Sequence, residues 1–279
     1  MYATLTAVLM MAGIGALLGF ILTYAARRFH VEEDPLVEKV AALLPGANCG
    51  ACGFPGCSGF AAAVAAGKVD PSACPPGGAT TAQKIAETLG RALTFREKRI
   101  AVLACKPAGV NAHADYRGVE SCSAAAVFTL GGGPIECRYG CLGYGECLKS
   151  CKFDALEMGP DGIPVVVREK CVACGKCVPA CPRGLFTIQE ESRPVQVLCH
   201  NRDKGPQANK ICRHACIACR KCEKVCPADA IHVPNFLAEI DYGKCNSCGE
   251  CVKVCPHQTI GDARVDGAPA ARADAPVAS

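Results

Sequence analysis

The chain has 279 residues with 24 cysteines, no Trp, six Tyr and nine Phe, and 30 Lys and Arg set against 26 Asp and Glu. Its formal charge of +4 counts every cysteine as neutral, so it is no sign of a nucleic-acid partner once thiolates hold anionic clusters. Most cysteines fall in runs only a few residues apart, too close to pair as disulfides, which excludes a secreted disulfide scaffold and points to metal ligation in a reducing compartment.

Residues 3–26, "ATLTAVLMMAGIGALLGFILTYAA", hold no charged side chain. As a helix they reach ~36 Å, enough to span a bilayer with some tilt. No Lys or Arg precedes this run, whereas Arg27 and Arg28 follow it. That order predicts a retained single-pass anchor rather than a cleaved signal peptide, with everything after it in the cytoplasm. Gly15 and Gly19 form a G-x-x-x-G step where another helix can approach.

"DPLVEKVAALLPG" (34–46) predicts a short amphipathic helix with Leu36, Val40, Leu43 and Leu44 on one side. "GANCGACGFPGCSGF" follows, and its glycines let the backbone fold tightly around a bulky cofactor. Cys49, Cys52, Cys57 and Cys74 form one four-thiolate set. A zinc module usually presents two C-x2-C knuckles; here the second and third cysteines are four apart and the fourth stands alone, which favours a [4Fe-4S] cluster. "TTAQKIAETLGRAL" (80–93) then predicts a helix and "RIAVLAC" (99–105) a strand.

The strongest signal lies further on. "CIACRKCEKVCP" (Cys216, Cys219, Cys222, Cys226) and "CNSCGECVKVCP" (Cys245, Cys248, Cys251, Cys255) are both C-x2-C-x2-C-x3-C-P runs. This pair is the bacterial two-cluster ferredoxin pattern, in which the fourth cysteine of each run serves the other run's cluster. Cys255 is therefore expected with Cys216, Cys219 and Cys222, and Cys226 with Cys245, Cys248 and Cys251. Upstream stands an earlier copy. "CVACGKCVPACP" (Cys171, Cys174, Cys177, Cys181) is regular, but in "CRYGCLGYGECLKSC" Tyr144 falls where Cys219 stands in the later copy. Cys137, Cys141 and Cys147 with Cys181 are expected to form one site, and Cys171, Cys174 and Cys177 with Cys151 the other. Five clusters use twenty cysteines; Cys105, Cys122, Cys199 and Cys212 remain, as buried hydrophobes, a redox pair or a sixth site.

Other features carry less. Gly131-Gly132-Gly133 lacks a Lys and the strand-loop-helix setting of a phosphate loop. His257 beside Cys255 reads as covering or tuning a cluster. No catalytic triad, P-loop or dinucleotide fingerprint is present in the sequence, so catalytic residues are none. The predicted fold class is α+β: an N-terminal transmembrane helix (1–28), a small four-Cys [4Fe-4S] domain (32–91), tandem two-cluster ferredoxin-like modules (99–192 and 193–264), and a disordered tail (265–279).

This order of parts, with "LLPGANCGACGFPGCSGF" and "DPSACPPGG", resembles the B subunit of Rnf-type ion-translocating ferredoxin:NAD oxidoreductase complexes. The likeness covers residues 1 to about 190; "CRYGCLGYGECLKSC" is similar to the family's irregular first run, which supports Cys137, Cys141 and Cys147 as ligands. Lys152 departs from the family, where Pro follows the fourth cysteine, and the second ferredoxin unit goes beyond its shorter members. The resemblance implies an electron-transfer subunit on the cytoplasmic side of a bacterial inner membrane, incomplete as a catalyst by itself. Its partners would be soluble ferredoxin and flavin- and NAD-binding membrane subunits that drive Na+ or H+ transport. A corrinoid- or hydrogenase-type membrane enzyme, or a zinc-stabilised interaction module, would be the other homes for such a chain.

Overall fold

The computed structural model describes residues 2–28, 34–93, 97–106, 110–112, 116–128 and 133–264. The tail expected to be disordered, and Gly131 and Gly132, lie outside the described residues.

Helix α1 (Tyr2–Arg28) is continuous through the apolar run, and its Val8–Ala25 window has a mean hydropathy of 2.1 with none of it buried. Leu9, Phe20 and Leu22 are all exposed. A helix that is apolar all round and unpacked suits a lipid environment rather than a protein core.

The four-Cys domain follows. Asp34 caps α2 (Pro35–Leu43), accepting from the Leu36 amide at 2.9 Å, and Pro35 starts the helix where its missing N–H costs nothing. The buried side of α2 carries Val40 and Leu44 with Val37 packed beside them, whereas Leu36, expected on that side, stays exposed. Val40 and Leu44 pack with Phe60 and Val64 of α3 (Cys57–Ala65) and Ile85 of α4 (Gly78–Leu89). Each such side chain contributes about 1.5–3 kcal/mol on burial, so this is a small core. Gly90, whose φ of 62° lies in the left-handed region, ends α4 short of the boundary expected from its pattern.

The remainder shows the same plan twice. In the first unit β1 (Arg99–Leu103) runs antiparallel to β4 (Phe186–Glu190), enclosing α5 (Cys122–Phe128), α6 (Glu146–Ser150), the β2–β3 hairpin (Leu156–Met158, Pro164–Val166) and α7 (Cys177–Ala180). In the second, β5 (Val195–Val197) pairs antiparallel with β8 (Ile260–Asp262) around α8 (Gly205–Ile211), α9 (Lys221–Val225), β6–β7 (Ile231–His232, Glu239–Ile240) and α10 (Glu250–Lys253). An outer pair joins first and last strands and an inner pair sits between the cysteine runs. Each unit has its own core: Ile100, Leu156, Leu185 and Phe186 in the first, Val195, Ile231, Val233 and Ile260 in the second, with cysteines built into both.

Candidate cluster sites

The cysteine runs share one backbone solution. Residues two and four after the first cysteine adopt positive φ in all four: Gly143 and Gly145, Ala173 and Gly175, Ala218 and Arg220, Ser247 and Gly249. So does the residue three after the last cysteine: Asp154, Gly184, Asp229 and Gln258. These left-handed steps curl the chain so that amides face inward. The next amide then donates to the last cysteine's sulfur: Leu185 to Cys181 Sγ at 3.5 Å, Ala230 to Cys226 Sγ at 3.3 Å and Thr259 to Cys255 Sγ at 3.3 Å. Donors aimed at sulfur stabilise thiolate over thiol, the form a cluster needs.

In the four-Cys domain the Asn48 side chain, at the turn before Cys49, accepts from the Cys57 amide at 2.8 Å. Asp70 caps the 3-10 turn Pro71–Ala73 through the Ser72 amide and so delivers Cys74. Burial pushes the Cys74 thiol up, opposed by a hydrogen bond from the Gly77 backbone; the nearby Cys52, Cys57 and Cys49 add to the rise. The four thiols expected together therefore lie together.

The later sets are crossed. Cys151 acts with Cys171 and Cys174 on Cys177, Cys255 with Cys216 and Cys219 on Cys222, and Cys226 with Cys245 and Cys248 on Cys251. Burial is the largest cause at each target, taking Cys177 and Cys222 up to about 12 and Cys251 to about 11, with neighbouring thiolates adding to it. Cys216, Cys219, Cys222 and Cys255 line one cavity, and Cys226, Cys245, Cys248 and Cys251 another.

The irregular run is arranged differently from the sequence expectation. The thiols whose charge acts on Cys147 are Cys141, Cys122 and Cys181, so Cys122 stands in the place anticipated for Cys137. A carboxylate explains how. Glu146 accepts from the Ser121 hydroxyl at 2.6 Å, the Ser123 hydroxyl at 3.0 Å and the Ser123 amide at 3.2 Å. It thereby clamps the start of α5 beside Cys147. Nothing in the local spacing announced this, since Cys122 and Glu146 are far apart in sequence; the signal available was the "SCS" triplet opposite a Glu next to a ligand.

Cys137 instead joins the three other leftover cysteines. Cys105, Cys137, Cys199 and Cys212 line one cavity. Cys105 follows outer strand β1 and Cys199 follows outer strand β5; Cys137 and Cys212 precede the first runs of their units. Each unit thus gives two thiols from matching positions. The Cys141 amide donates to Cys105 Sγ and the Asn201 amide to Cys199 Sγ, both at 3.4 Å, while Asn201 Nδ2, buried, reaches Cys137 Sγ at 3.7 Å. Burial drives Cys105 up to about 12 and Cys199 to about 11.

Among the described residues no three His, Cys, Asp or Glu side chains converge closely enough to hold a single metal ion. A zinc ion needs its sulfurs at ~2.3 Å from one point. The three sets that each line a small cavity, those of Cys222, Cys251 and Cys105, with amides directed at their sulfurs, fit [4Fe-4S] cubanes.

Fold and thiol sets together define a polyferredoxin-type iron–sulfur protein carrying a candidate membrane span. Family models agree: "Putative Fe-S cluster" matches residues 44–76, and two models for a "4Fe-4S dicluster domain" match 215–260 and, twice, 135–185 and 170–230. The chain is 47% identical over 247 residues to the B subunit of the Na(+)-translocating ferredoxin:NAD(+) oxidoreductase complex of Acetobacterium woodii, covering 86% of this chain and 74% of that one. It is 44% identical to the B subunit of the ion-translocating oxidoreductase complex of Methanosarcina acetivorans (86% and 91% covered). It is 43% identical to the B subunit of the proton-translocating ferredoxin:NAD(+) oxidoreductase complex of Clostridium ljungdahlii (83% and 82%). The chain belongs to this family of B subunits of ion-translocating ferredoxin:NAD(+) oxidoreductase complexes.

Proposed function

We propose that this chain is the membrane-anchored electron wire of such a complex, held by residues 3–26 with its soluble part in the cytoplasm. It passes electrons between soluble ferredoxin and NAD-linked, flavin-bearing partner subunits whose turnover drives Na+ or H+ across the membrane. Two one-electron transfers and one proton convert each NAD+ to NADH; this chain supplies electrons, not the hydride site.

Six thiol sets support the reading, five from the four-Cys domain and the two crossed pairs, the sixth from Cys105, Cys137, Cys199 and Cys212. Cubanes held there would supply reversible one-electron storage. The chain's own contribution is order. Cys49 lies near enough to Cys174 for its charge to be felt there, which joins the four-Cys domain to the first ferredoxin unit. The Cys141 amide bonds Cys105, and the Cys216 amide bonds Cys199, so the sixth set touches a site of each unit through equivalent residues. The observation that carries the proposal is this bridging contact: among the described residues, no other thiol set draws cysteines from both units.

A complex carrying Cys105→Ser together with Cys212→Ser tests it. Ferredoxin-driven NAD+ reduction should fall tenfold or more while the chain keeps iron for its other five clusters. Full turnover by that variant would overturn the bridge. Orientation is checked separately: protease added outside intact cells should leave the ferredoxin units uncut, and their digestion would reverse the topology.

A further inference from the structure

Arg183 occupies a place that neither the cysteine spacing nor the ferredoxin pattern assigns. It stands second after Cys181, following Pro182, where the other three runs carry Phe153, Ala228 and His257. Its Nη1 donates to the Cys137 carbonyl at 2.7 Å and to the Gly140 carbonyl at 2.6 Å. Those carbonyls belong to the loop that separates Cys137, of the sixth set, from Cys141, of the first ferredoxin set. The side chain is only partly exposed, and burial works against its charge while four thiols favour it: Cys137, Cys141, Cys181 and Cys105. Two of these belong to one set and two to the other. The guanidinium therefore lies between two neighbouring sites, touching the backbone of the loop they share.

The second unit departs at the matching position. His257 follows Cys255 and Pro256, and its own carbonyl meets His214 Nδ1 at 3.1 Å; His214 aligns with Tyr139 of the first unit. An imidazole has no fork to span two carbonyls and no permanent charge. The duplication is thus broken at the residue that carries one.

We infer that Arg183 is a positioning and potential-setting residue for two adjacent clusters, the one held by Cys122, Cys141, Cys147 and Cys181 and the one held by Cys105, Cys137, Cys199 and Cys212. The inference rests on the six-site reading above. A cluster gains one negative charge on reduction, and a fixed cation in a poorly hydrated site favours that state, so Arg183 raises the reduction potential of both. It makes the middle of the wire a place where electrons settle rather than a barrier between the units. Its two carbonyl bonds hold the intervening loop in register.

The test uses the full chain, purified anaerobically and titrated potentiometrically with EPR detection. Arg183→Gln keeps a donor but removes the charge: iron content should match the parent, and two of the reducible equivalents should move to lower potential. A tenfold change in each one-electron equilibrium corresponds to about 59 mV. Arg183→Lys keeps charge without the fork and should leave those two midpoints closer to the parent than Arg183→Gln does. If neither variant moves any midpoint, or if all equivalents shift alike, the role is overturned. Loss of iron in both variants, with the remaining midpoints unmoved, would make Arg183 a structural brace only and contradict the inference too. Parent protein with iron for five clusters would instead defeat the six-site reading, a separate outcome read before any variant is made.

Discussion

Cys122 is the residue on which the first ferredoxin unit turns. It lies with Cys141, Cys147 and Cys181, and Glu146 holds the hydroxyls of Ser121 and Ser123 on either side of it. Meanwhile Tyr144 stands where a regular run has its second cysteine, on a backbone whose Gly143 and Gly145 keep the same left-handed steps as Ala218 and Arg220. The set therefore lacks a thiol at one loop position and has Cys122 beside it from elsewhere in the chain. Cys122→Ser should lower iron per chain and perturb one cluster by EPR, since a hydroxyl is a poor iron ligand. Adding Tyr144→Cys should restore that iron. Should Cys137→Ser, not Cys122→Ser, disturb this cluster, the assignment of the two cysteines would be reversed. Glu146→Ala removes hydrogen bonds to an ionised acceptor, worth about 1.5–3 kcal/mol each in favourable settings. It should weaken the same cluster without touching the others, measured as selective iron loss on mild oxidation.

At the scale of elements, the turns rather than the helices define the sites. Helices α6, α7, α9 and α10 run four or five residues, too short to be stable by themselves. They persist because the loops around them are fixed by left-handed residues and by ligands. Gly143 has φ +80°, and an added Cβ would meet the Gly162 carbonyl oxygen at 2.8 Å, whereas Gly175 has φ +75° and open space. Both Gly→Ala changes incur left-handed strain of about 1–2 kcal/mol, offset by about 0.4–1 kcal/mol of unfolded-state entropy. Only Gly143→Ala adds a backbone clash. Anaerobic thermal unfolding of the loaded protein should therefore show Gly143→Ala well below Gly175→Ala, and equal midpoints would contradict the geometry.

The same elements show what the sequence makes legible and what it hides. The regular runs are legible because ligation fixes both residue type and spacing, so Cys216 to Cys226 and Cys245 to Cys255 announce themselves. The anchor is legible because a bilayer demands an uninterrupted apolar length. The company of Cys137 is not, because Cys105, Cys199 and Cys212 reach it from strands β1 and β5 and helix α8, and no local pattern records a tertiary meeting. Leu36 falls on the exposed side for a milder reason: a nine-residue helix offers several nearly equal apolar faces, and packing against α3 selects Val37 and Val40.

For the whole molecule, duplication explains more than economy of design. Two copies of one unit each place a cysteine after the outer strand and another before the first run. Where the copies meet, these four thiols enclose one cavity. On the six-site proposal the interface itself becomes a site, and separate modules become one path. Arg183 then distinguishes the copies by charge.

Metal should hold this path together, because the units' cores include the cysteines themselves. Without clusters, thiols such as Cys105 and Cys147, both pushed up to about 12 first by burial, would crowd together with neighbouring thiols and no metal to share. The most direct test is therefore the metal count of the intact chain: iron and acid-labile sulfide on anaerobically purified protein, with EPR spin quantification after full reduction. Six cubanes predict about 24 iron and about 24 sulfide per chain. A value of about 20 of each would remove the bridging centre, and stoichiometric zinc without sulfide would contradict the iron–sulfur account altogether.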